Sequence, residues 1–132
     1  MQLEYLALMK YRLEKAKADL CVAKENLGSD RYAQAANRAY YAMFHATRAL
    51  LAPYQLDSKR HSTIIGMFNK HFVATKKIDP AYNIMLATAF QTRLKCDYDD
   101  YYLIAKIDAA TQVDNADKFL AMIELWIKAN LD

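Results

Sequence analysis

The sequence predicts an all-α fold, an up-and-down antiparallel bundle of about five helices. Only 2 Gly and 2 Pro occur in 132 residues, while 55% of the residues are hydrophobic. That composition lacks the turn residues that a β-sandwich or barrel needs. Apolar residues recur at helical spacing in long segments with short connections between them, which is typical of a bundle. The length suits one domain, so residues 1–132 are expected to form a single helical domain.

Helix 1 is predicted from about Gln2 to Leu27. Its apolar residues recur every seven positions, with a second set three positions further along, as in the seam of a helical bundle. The two sets are Leu6, Leu13, Leu20 and Leu27, and Met9, Ala16 and Ala23. Gly28 is expected to end this helix, and Ser29 or Asp30 to provide the N-cap of the next.

Helix 2 is predicted from about Arg31 to Ala52, closed by Pro53, at the centre of the fold. Its segment 37–51 has no Gly or Pro and is too apolar all round for a surface helix. One stripe is a core face, made of Ala36, Tyr40, Met43, Thr47 and Leu50. The opposite stripe contains Gln34, Arg38, Tyr41, Ala42, His45 and Ala49.

The opposite stripe of helix 2 places a cation and an imidazole on one side of the helix. Arg38 and His45 are two turns apart, roughly 10 Å along the axis at about 1.5 Å per residue. Long side chains at this spacing could converge on one phosphate-sized ligand. The same helix has a face of small residues that would allow another backbone to approach closely. We therefore expect a homodimer whose interface includes helix 2, although part of this surface could instead receive helix 1 or helix 4; the face consists of Ala35, Ala39, Ala42, Ala46 and Ala49.

Three further helices are predicted in the second half of the chain. Helix 3 is expected from Ser58 to about Val73 and helix 4 from Asp79-Pro80, an N-cap followed by proline at the first helical position, to about Lys95. Helix 5 is expected at about 109–129, with Asp108 as its cap. The residues expected to be buried are Ile64, Ile65, Phe68 and Phe72 in helix 3, Met85, Leu86, Ala89 and Phe90 in helix 4, and Val113, Ala116, Leu120, Ile123 and Ile127 in helix 5.

The segment DYDDYYL at 97–103 is expected to be irregular. Tyr98 and Tyr101 should cover the end of the bundle while Asp99 and Asp100 face water. Asp97, Asp99 and Asp100 superficially resemble a calcium-binding loop, but the required Gly and distal Glu are missing. We therefore expect this segment to be structural.

Cysteine use and the N-terminal sequence favour a cytoplasmic protein. Cys21 and Cys96 are far apart and have no CxxC partner, so two buried, reduced thiols are favoured over a disulfide. The N-terminus carries an acid early and has no long apolar core, so no signal peptide is expected. No apolar run approaches the roughly 18 residues that a membrane span requires.

Charge is distributed unevenly along the chain, whose net charge is +3. Residues 58–78 contain five Lys or Arg and two His but no acid, whereas residues 97–117 contain six Asp and one Lys. The basic segment could attract phosphate, and Lys59, Arg60 and Lys70 are candidate contacts to an RNA backbone. Two solvated faces of opposite sign are an equally good interpretation.

No metal or cofactor is expected from the sequence. His61 and His71 have no Cys or acid at metal-ligand spacing. No Gly-rich phosphate loop occurs either, so side chains would have to hold any nucleotide.

Three blocks of sequence point to a known family: NRAYYAMFHATRALL at 37–51, KRHSTIIGMFNKHFV at 59–73 and TRLKCDYDDYY at 92–102. Together they resemble the HEPN domains (higher eukaryotes and prokaryotes nucleotide-binding), and in particular the small stand-alone bacterial and archaeal members. The resemblance implies a helical bundle that pairs through its motif helix. It also implies frequent partnership with a minimal nucleotidyltransferase as a toxin–antitoxin couple. Active members are metal-independent ribonucleases with an Arg-x4–6-His motif, which Arg38 and His45 match with six intervening residues.

The sequence departs from the family pattern at two positions. Many active members have a polar residue directly after the arginine, where this chain has Ala39. Some toxins carry, two positions after the histidine, a tyrosine that the antitoxin modifies with AMP; here the residue is Thr47, so the modification is not carried over. The resemblance further implies that Arg93 and Asp97, four residues apart, form an ion pair that acts with Tyr98 as a structural lock.

RNA cleavage without metal requires a base, an acid and a cation that binds the phosphate. His45 could serve as base or acid, and Arg38 could bind two phosphate oxygens. A two-fold dimer through helix 2 would supply two copies of each. Asn37 could donate to phosphate or orient the imidazole, and Tyr41 could stack on a base.

Two alternatives to the ribonuclease function stay open. His45 could be a core histidine and Arg38 a structural ion-pair partner, as expected in a non-enzymatic module that binds nucleotide or protein. The chain could also be a purely structural dimerisation domain. Inactive relatives of the family are known, and resemblance alone does not decide between these possibilities.

Overall fold

The computed structural model describes residues 2–131, and within that range it contains five α-helices and no strand. The helices are α1 (Leu3–Gly28), α2 (Tyr32–Leu51), α3 (His61–Phe68), α4 (Pro80–Tyr98) and α5 (Lys106–Leu131). A 3₁₀ turn, Ala52–Tyr54, follows α2, and a π-helical turn, Asn69–Val73, extends α3. The expected all-α helical bundle is confirmed.

Helix α2 lies at the centre and packs against α1, α4 and α5. Twelve of its 20 residues are buried. The alanines at 35, 39, 42, 46 and 49 are all fully buried inside the chain. These alanines therefore face this chain's own helices rather than a second copy, while the expected homodimer through helix 2 stays a prediction. Small side chains allow close helix approach, and this chain's own helices occupy the space; a turn of only three residues holds α1 beside α2.

The core residues expected in the other helices are buried or packed against the core. All five inward residues of α5 are buried, as are Ile64, Phe68, Phe72, Leu86 and Ala89. In α1 the buried members of the seam are Met9, Ala16, Leu20 and Ala23. The remaining predicted residues are half-buried at the edge of the core: Leu6, Leu13, Leu27, Ile65, Met85 and Phe90.

The turn between α1 and α2 is closed by backbone hydrogen bonds and has no side-chain cap. Gly28 is still helical, and the residue with left-handed backbone is Asp30, with φ of 60°. The Arg31 N–H donates to the Asn26 carbonyl at 2.8 Å, and Arg31 occupies the N-cap position of α2 without a side-chain bond. The predicted cap at Ser29 or Asp30 is therefore wrong.

Two other helix starts differ from the prediction and one agrees. Helix α3 starts at His61 instead of Ser58, because the Ser58 hydroxyl accepts the Arg60 N–H at 3.1 Å in a turn before the helix. Helix α5 starts at Lys106, which places Asp108 in its first turn, where its charge suits the helix dipole. Asp79 caps α4 as predicted and accepts the Ala81 N–H at 2.8 Å.

The connection between α4 and α5 is only partly as expected. Asp99 and Asp100 are exposed, as predicted, and Arg93 and Asp97 form the predicted ion pair at 2.9 Å. However, Tyr98 and Tyr101 are 73% and 96% exposed and do not cover the bundle end. A small apolar cluster of Ile104, Ala36 and Ala109, with Tyr102 packed beside it, fills that place.

The two cysteines are free thiols, as expected, but they are not buried. Cys21 is exposed on α1 and Cys96 is half-buried on α4. Cys21 follows the buried Leu20 and therefore points away from the apolar seam of α1. Across residues 2–131, none of the helices has the length and apolar character that a bilayer crossing requires.

Candidate functional site

Helix α2 presents one solvent-reachable stripe, which follows a spacing of three and four residues. The stripe consists of Gln34, Arg38, Tyr41, His45 and Arg48, none of which is buried. Ala42 and Ala49, predicted on this stripe, are buried instead. The stripe is therefore narrower and more polar than the sequence indicated. It is called the α2 stripe below.

Arg38 and His45 meet at a carboxylate from α1. The Arg38 Nη1 donates to Asp19 Oδ1 at 3.1 Å, and the His45 Nε2 lies 3.5 Å from Asp19 Oδ2. One carboxylate thus bridges the two predicted catalytic side chains. Asp19 was not among the site residues predicted from the sequence. The available signal was an acid placed directly beside the buried seam residue Leu20.

The Arg38 guanidinium is held on three sides. Its Nε and Nη2 donate to the Asn37 Oδ1 at 3.0 and 2.7 Å, and its Cζ lies 4.8 Å from the Tyr41 ring centroid. Asn37 also lies 3.5 Å from Asp97 through its amide nitrogen. Asn37 and Tyr41 therefore orient the guanidinium, and this is a role that the sequence analysis did not assign to them.

The electrostatic environment makes His45 a neutral imidazole. Burial lowers the pKa of His45, and the positive charges of Lys15, Arg48, Arg38 and Arg12 lower it further, to about 4. Burial also raises the pKa of Asp19, although the Arg38 charge opposes that shift. The Nε2 faces the Asp19 carboxylate at 3.5 Å, and because a carboxylate only accepts hydrogen bonds, this contact favours the neutral tautomer with its proton on Nε2. The other nitrogen, Nδ1, is buried and has no hydrogen-bond partner within residues 2–131.

The two side chains have internal partners but are not sealed from solvent. The Arg38 side chain is 36% exposed and the His45 side chain is 13% exposed. A structural ion pair requires partners inside the protein, whereas a reactive site requires side chains that are partly exposed. The neutral imidazole has a lone pair that can accept a proton, although its low pKa makes it a weak base, and the guanidinium beside it is suited to bind an anion.

A second cationic cluster lies one turn further along α2. Arg48 donates to both oxygens of Asp57, at 3.0 Å each, and Arg12 donates to Asp57 Oδ2 at 3.0 Å. Partial burial raises the pKa of Asp57, but hydrogen bonds from Arg48, the Ser58 N–H and Arg12 outweigh burial, and the net shift is downward. Asp57 thus remains a carboxylate that anchors the start of α3 to α1 and α2.

The predicted RNA-contacting residues are not all brought to one place. Lys59 lines a groove with Phe44, Arg48 and His61. Arg60 and Lys70 are exposed and do not line that groove. Across the described part of the chain, no group of three or more His, Cys, Asp or Glu residues is arranged to hold a metal ion.

The sequence is similar to one family model and to several known proteins. A family model described as the HEPN domain matches residues 9–126. A Methanocaldococcus jannaschii protein named "Putative toxin MJ0142" is 32% identical over 83% of this chain and 74% of its own length. A Thermotoga maritima protein named "UPF0332 protein" is 30% identical over 92% of both chains. The family model spans most of the helices described above, including Asp19, Arg38 and His45, and the chain belongs to the HEPN domain family.

Proposed function

We propose that this chain is the toxin of a toxin–antitoxin pair and acts as a metal-independent endoribonuclease. Arg38 and His45 are the residues proposed to act on the phosphodiester. The observation that carries this proposal is the Asp19 carboxylate shared by the two side chains. An anion between a guanidinium and an imidazole stands where the scissile phosphate would be bound.

In the proposed reaction the substrate phosphate takes the place of Asp19 beside Arg38. With the carboxylate gone, solvent water takes the proton from the His45 Nε2 and supplies one to Nδ1, so that Nε2 can accept the proton of the ribose 2′-hydroxyl. The 2′-oxygen attacks phosphorus while the bond from phosphorus to the 5′-oxygen breaks. Arg38 binds the two non-bridging oxygens, where negative charge develops. The products are a 2′,3′-cyclic phosphate and a 5′-hydroxyl.

The leaving 5′-oxygen needs a proton, and one chain offers only one His45. We propose that a second copy of the chain supplies it, by pairing the two α2 stripes about a two-fold axis. Such an isologous contact brings two Arg38 and two His45 into one cleft. One imidazole then accepts a proton and the other, protonated beside the substrate anion, donates one.

The proposed antitoxin is a minimal nucleotidyltransferase. This assignment is supported by the resemblance of the three sequence blocks to the stand-alone HEPN proteins and by the relatives in Methanocaldococcus jannaschii named as toxins. The exposed acidic and aromatic connection at 98–103 leaves a surface that a partner protein could contact.

Expression in a bacterial host tests the proposed toxin function. Wild type should arrest growth and shorten total RNA, whereas His45→Ala should do neither while accumulating to the same level. His71→Ala serves as a matched control, since His71 is a half-buried histidine on the basic segment. Growth arrest by His45→Ala equal to that by wild type would contradict the proposal.

A non-enzymatic binding module is the second candidate. The observation that favours it is the low exposure of His45, whose side chain is only 13% accessible. Under this alternative the purified protein binds RNA or nucleotide through the same residues and leaves it intact.

A further inference from the structure

A groove separate from the Arg38 and His45 pair lies where α2 ends and α3 begins. It has a volume of about 500 Å³, and its lining residues are Phe44, Arg48, Asp57, Ser58, Lys59 and His61. Phe44 connects the groove to the proposed reaction site, because its ring centroid lies 4.2 Å from that of His61 and 5.7 Å from that of His45. The groove is therefore separated from the proposed reaction site by one buried ring.

The polar groups of the groove are predominantly positive. Arg48 and Lys59 contribute two cations. Asp57 is the one acid among the lining residues, and both of its oxygens are already engaged by Arg48 and Arg12. The Lys59 ammonium is exposed and makes no ion pair with any described residue. The groove thus has positive charge available for an anion.

His61 is fixed in one orientation and one tautomer. The Tyr40 hydroxyl lies 2.6 Å from the His61 Nδ1, and Phe44 stacks on the imidazole with an interplanar angle of 9°. Tyr40 is fully buried, and burial raises its pKa, so the phenol keeps its proton and can donate a hydrogen bond to Nδ1. In that arrangement the imidazole proton resides on Nε2, on the ring edge away from Tyr40.

His61 is also neutral near pH 7. Burial lowers the pKa of His61, and the charges of Arg93 and Arg48 lower it further. Its Nε2 makes no hydrogen bond to any group within residues 2–131. The groove therefore receives a fixed, unused N–H donor beside the Lys59 ammonium.

We propose that this groove is a phosphate-binding subsite for the RNA backbone, next to the phosphate that Arg38 and His45 hold. The His61 Nε2–H and the Lys59 ammonium donate to the phosphate oxygens, and Arg48 adds positive charge. This inference rests on the proposed function for its substrate. A base-stacking site does not fit, because Phe44 is buried and His61 already covers its ring. Free donors beside an acid that is already paired with Arg48 and Arg12 suit a phosphate.

Binding of a fluorescent single-stranded RNA with 2′-O-methyl riboses tests the subsite without any cleavage. His61→Phe keeps the aromatic stack and removes the donor, and it should weaken binding about tenfold, as expected for the loss of a hydrogen bond to a charged group. Lys59→Ala, at an exposed position, should weaken binding and reduce its salt dependence. The matched control His71→Phe should bind as wild type does. Binding by both His61→Phe and Lys59→Ala within twofold of wild type would overturn the proposal.

Nitrogen-15 NMR of the histidines gives a second readout that does not depend on affinity. The free protein should show His61 as the Nε2–H tautomer, and Tyr40→Phe should abolish that preference. Added RNA should shift the Nε2 resonance of His61 at micromolar concentration, and inorganic phosphate should do so only at millimolar concentration. A response to inorganic phosphate with none to RNA would overturn the RNA assignment.

These measurements separate the subsite from the proposed cleavage. RNA binding that depends on His61 in a protein that cleaves nothing would support the subsite and contradict the ribonuclease. Cleavage of RNA by His61→Phe with wild-type affinity would contradict the subsite and support the ribonuclease.

Discussion

Asp19 is the residue that links the fold to the proposed chemistry. Asp19 lies on α1 beside the apolar seam of that helix. Its carboxylate is 3.1 Å from the Arg38 guanidinium and close to the His45 imidazole. If the substrate phosphate replaces this carboxylate, Asp19 competes with RNA for Arg38. In the free protein the carboxylate is the counterion of the half-buried Arg38 guanidinium.

Asp19→Asn should strengthen RNA binding several-fold, because it removes the charge that competes with phosphate. The measurement is fluorescence anisotropy with a 2′-O-methyl RNA. Asp99→Asn is the matched control, since it removes one negative charge from an exposed position on the α4–α5 connection. Weaker binding by Asp19→Asn than by wild type would show that Asp19 only supports the site and is not displaced.

The low pKa of His45 predicts how stability depends on pH. The folded pKa is about 4 against an ordinary value of 6.5, so the unfolded chain binds more protons between these two values. Stability contributed by neutral His45 is complete above about pH 6.5 and is lost as the pH falls toward 4. At ~1.36 kcal/mol per pKa unit, the loss is at most about 3 kcal/mol.

Urea unfolding at several pH values between 4.5 and 7.5 measures this effect. His45→Gln, which does not titrate, should show a much flatter dependence than wild type over that range. Equal slopes for the two proteins would contradict the assignment of a buried, neutral imidazole.

At the scale of the element, α2 shows what a helical pattern can and cannot predict. Its central position followed from an apolar composition on every side, and its core residues Tyr40, Met43 and Leu50 are all buried. The alanine pattern indicated close approach but could not say which helix approaches. The sequence also could not place Asp19 beside His45, because that contact depends on the rotation of α1 about its own axis.

The same limit explains two of the errors at the ends of helices. The contacts that close the turn at 28–31 are backbone hydrogen bonds, which leave no side-chain signature. Ile104 covers the bundle end where Tyr98 and Tyr101 were expected. Tyr98 lies on the exposed side of the last turn of α4, and Tyr101 is exposed in a turn that the Tyr102 N–H closes on the Asp99 carbonyl. A local sequence pattern predicts where a helix lies, but it does not predict how that helix is oriented against its neighbours.

The buried alanine face of α2 makes a direct prediction about packing. Ala39→Leu should destabilise the fold by about 1–3 kcal/mol or more, because a larger side chain has no space between α2 and its neighbours. Ala33→Leu, at an exposed position on the same helix, should change stability little. Urea unfolding compares the two. A stable Ala39→Leu protein with a changed oligomeric state would mean that the alanine face meets a second chain after all.

At the scale of the whole molecule, the exposed part of α2 is the surface left for pairing. With the alanine face filled from inside, the α2 stripe remains reachable from Gln34 to Arg48. We expect the protein to be a homodimer at micromolar concentration, with the two stripes facing each other. Sedimentation velocity over a range of concentrations measures the oligomeric state. A monomer throughout the micromolar range would remove the source of the second His45 and contradict the proposed acid–base pair.

The measurement that tests the central claim most directly is cleavage of a single-stranded RNA by the purified protein in the presence of EDTA. Wild type should produce fragments that end in 2′,3′-cyclic phosphate and begin with 5′-hydroxyl, unaffected by the chelator. His45→Ala should lower the rate by about 10²–10⁴-fold while the circular dichroism spectrum and the dimer persist. Arg38→Lys should also be poorly active, because a point charge does not reproduce the two-pronged guanidinium contact. RNA left intact by wild type, or cleaved equally well by His45→Ala, would contradict the account.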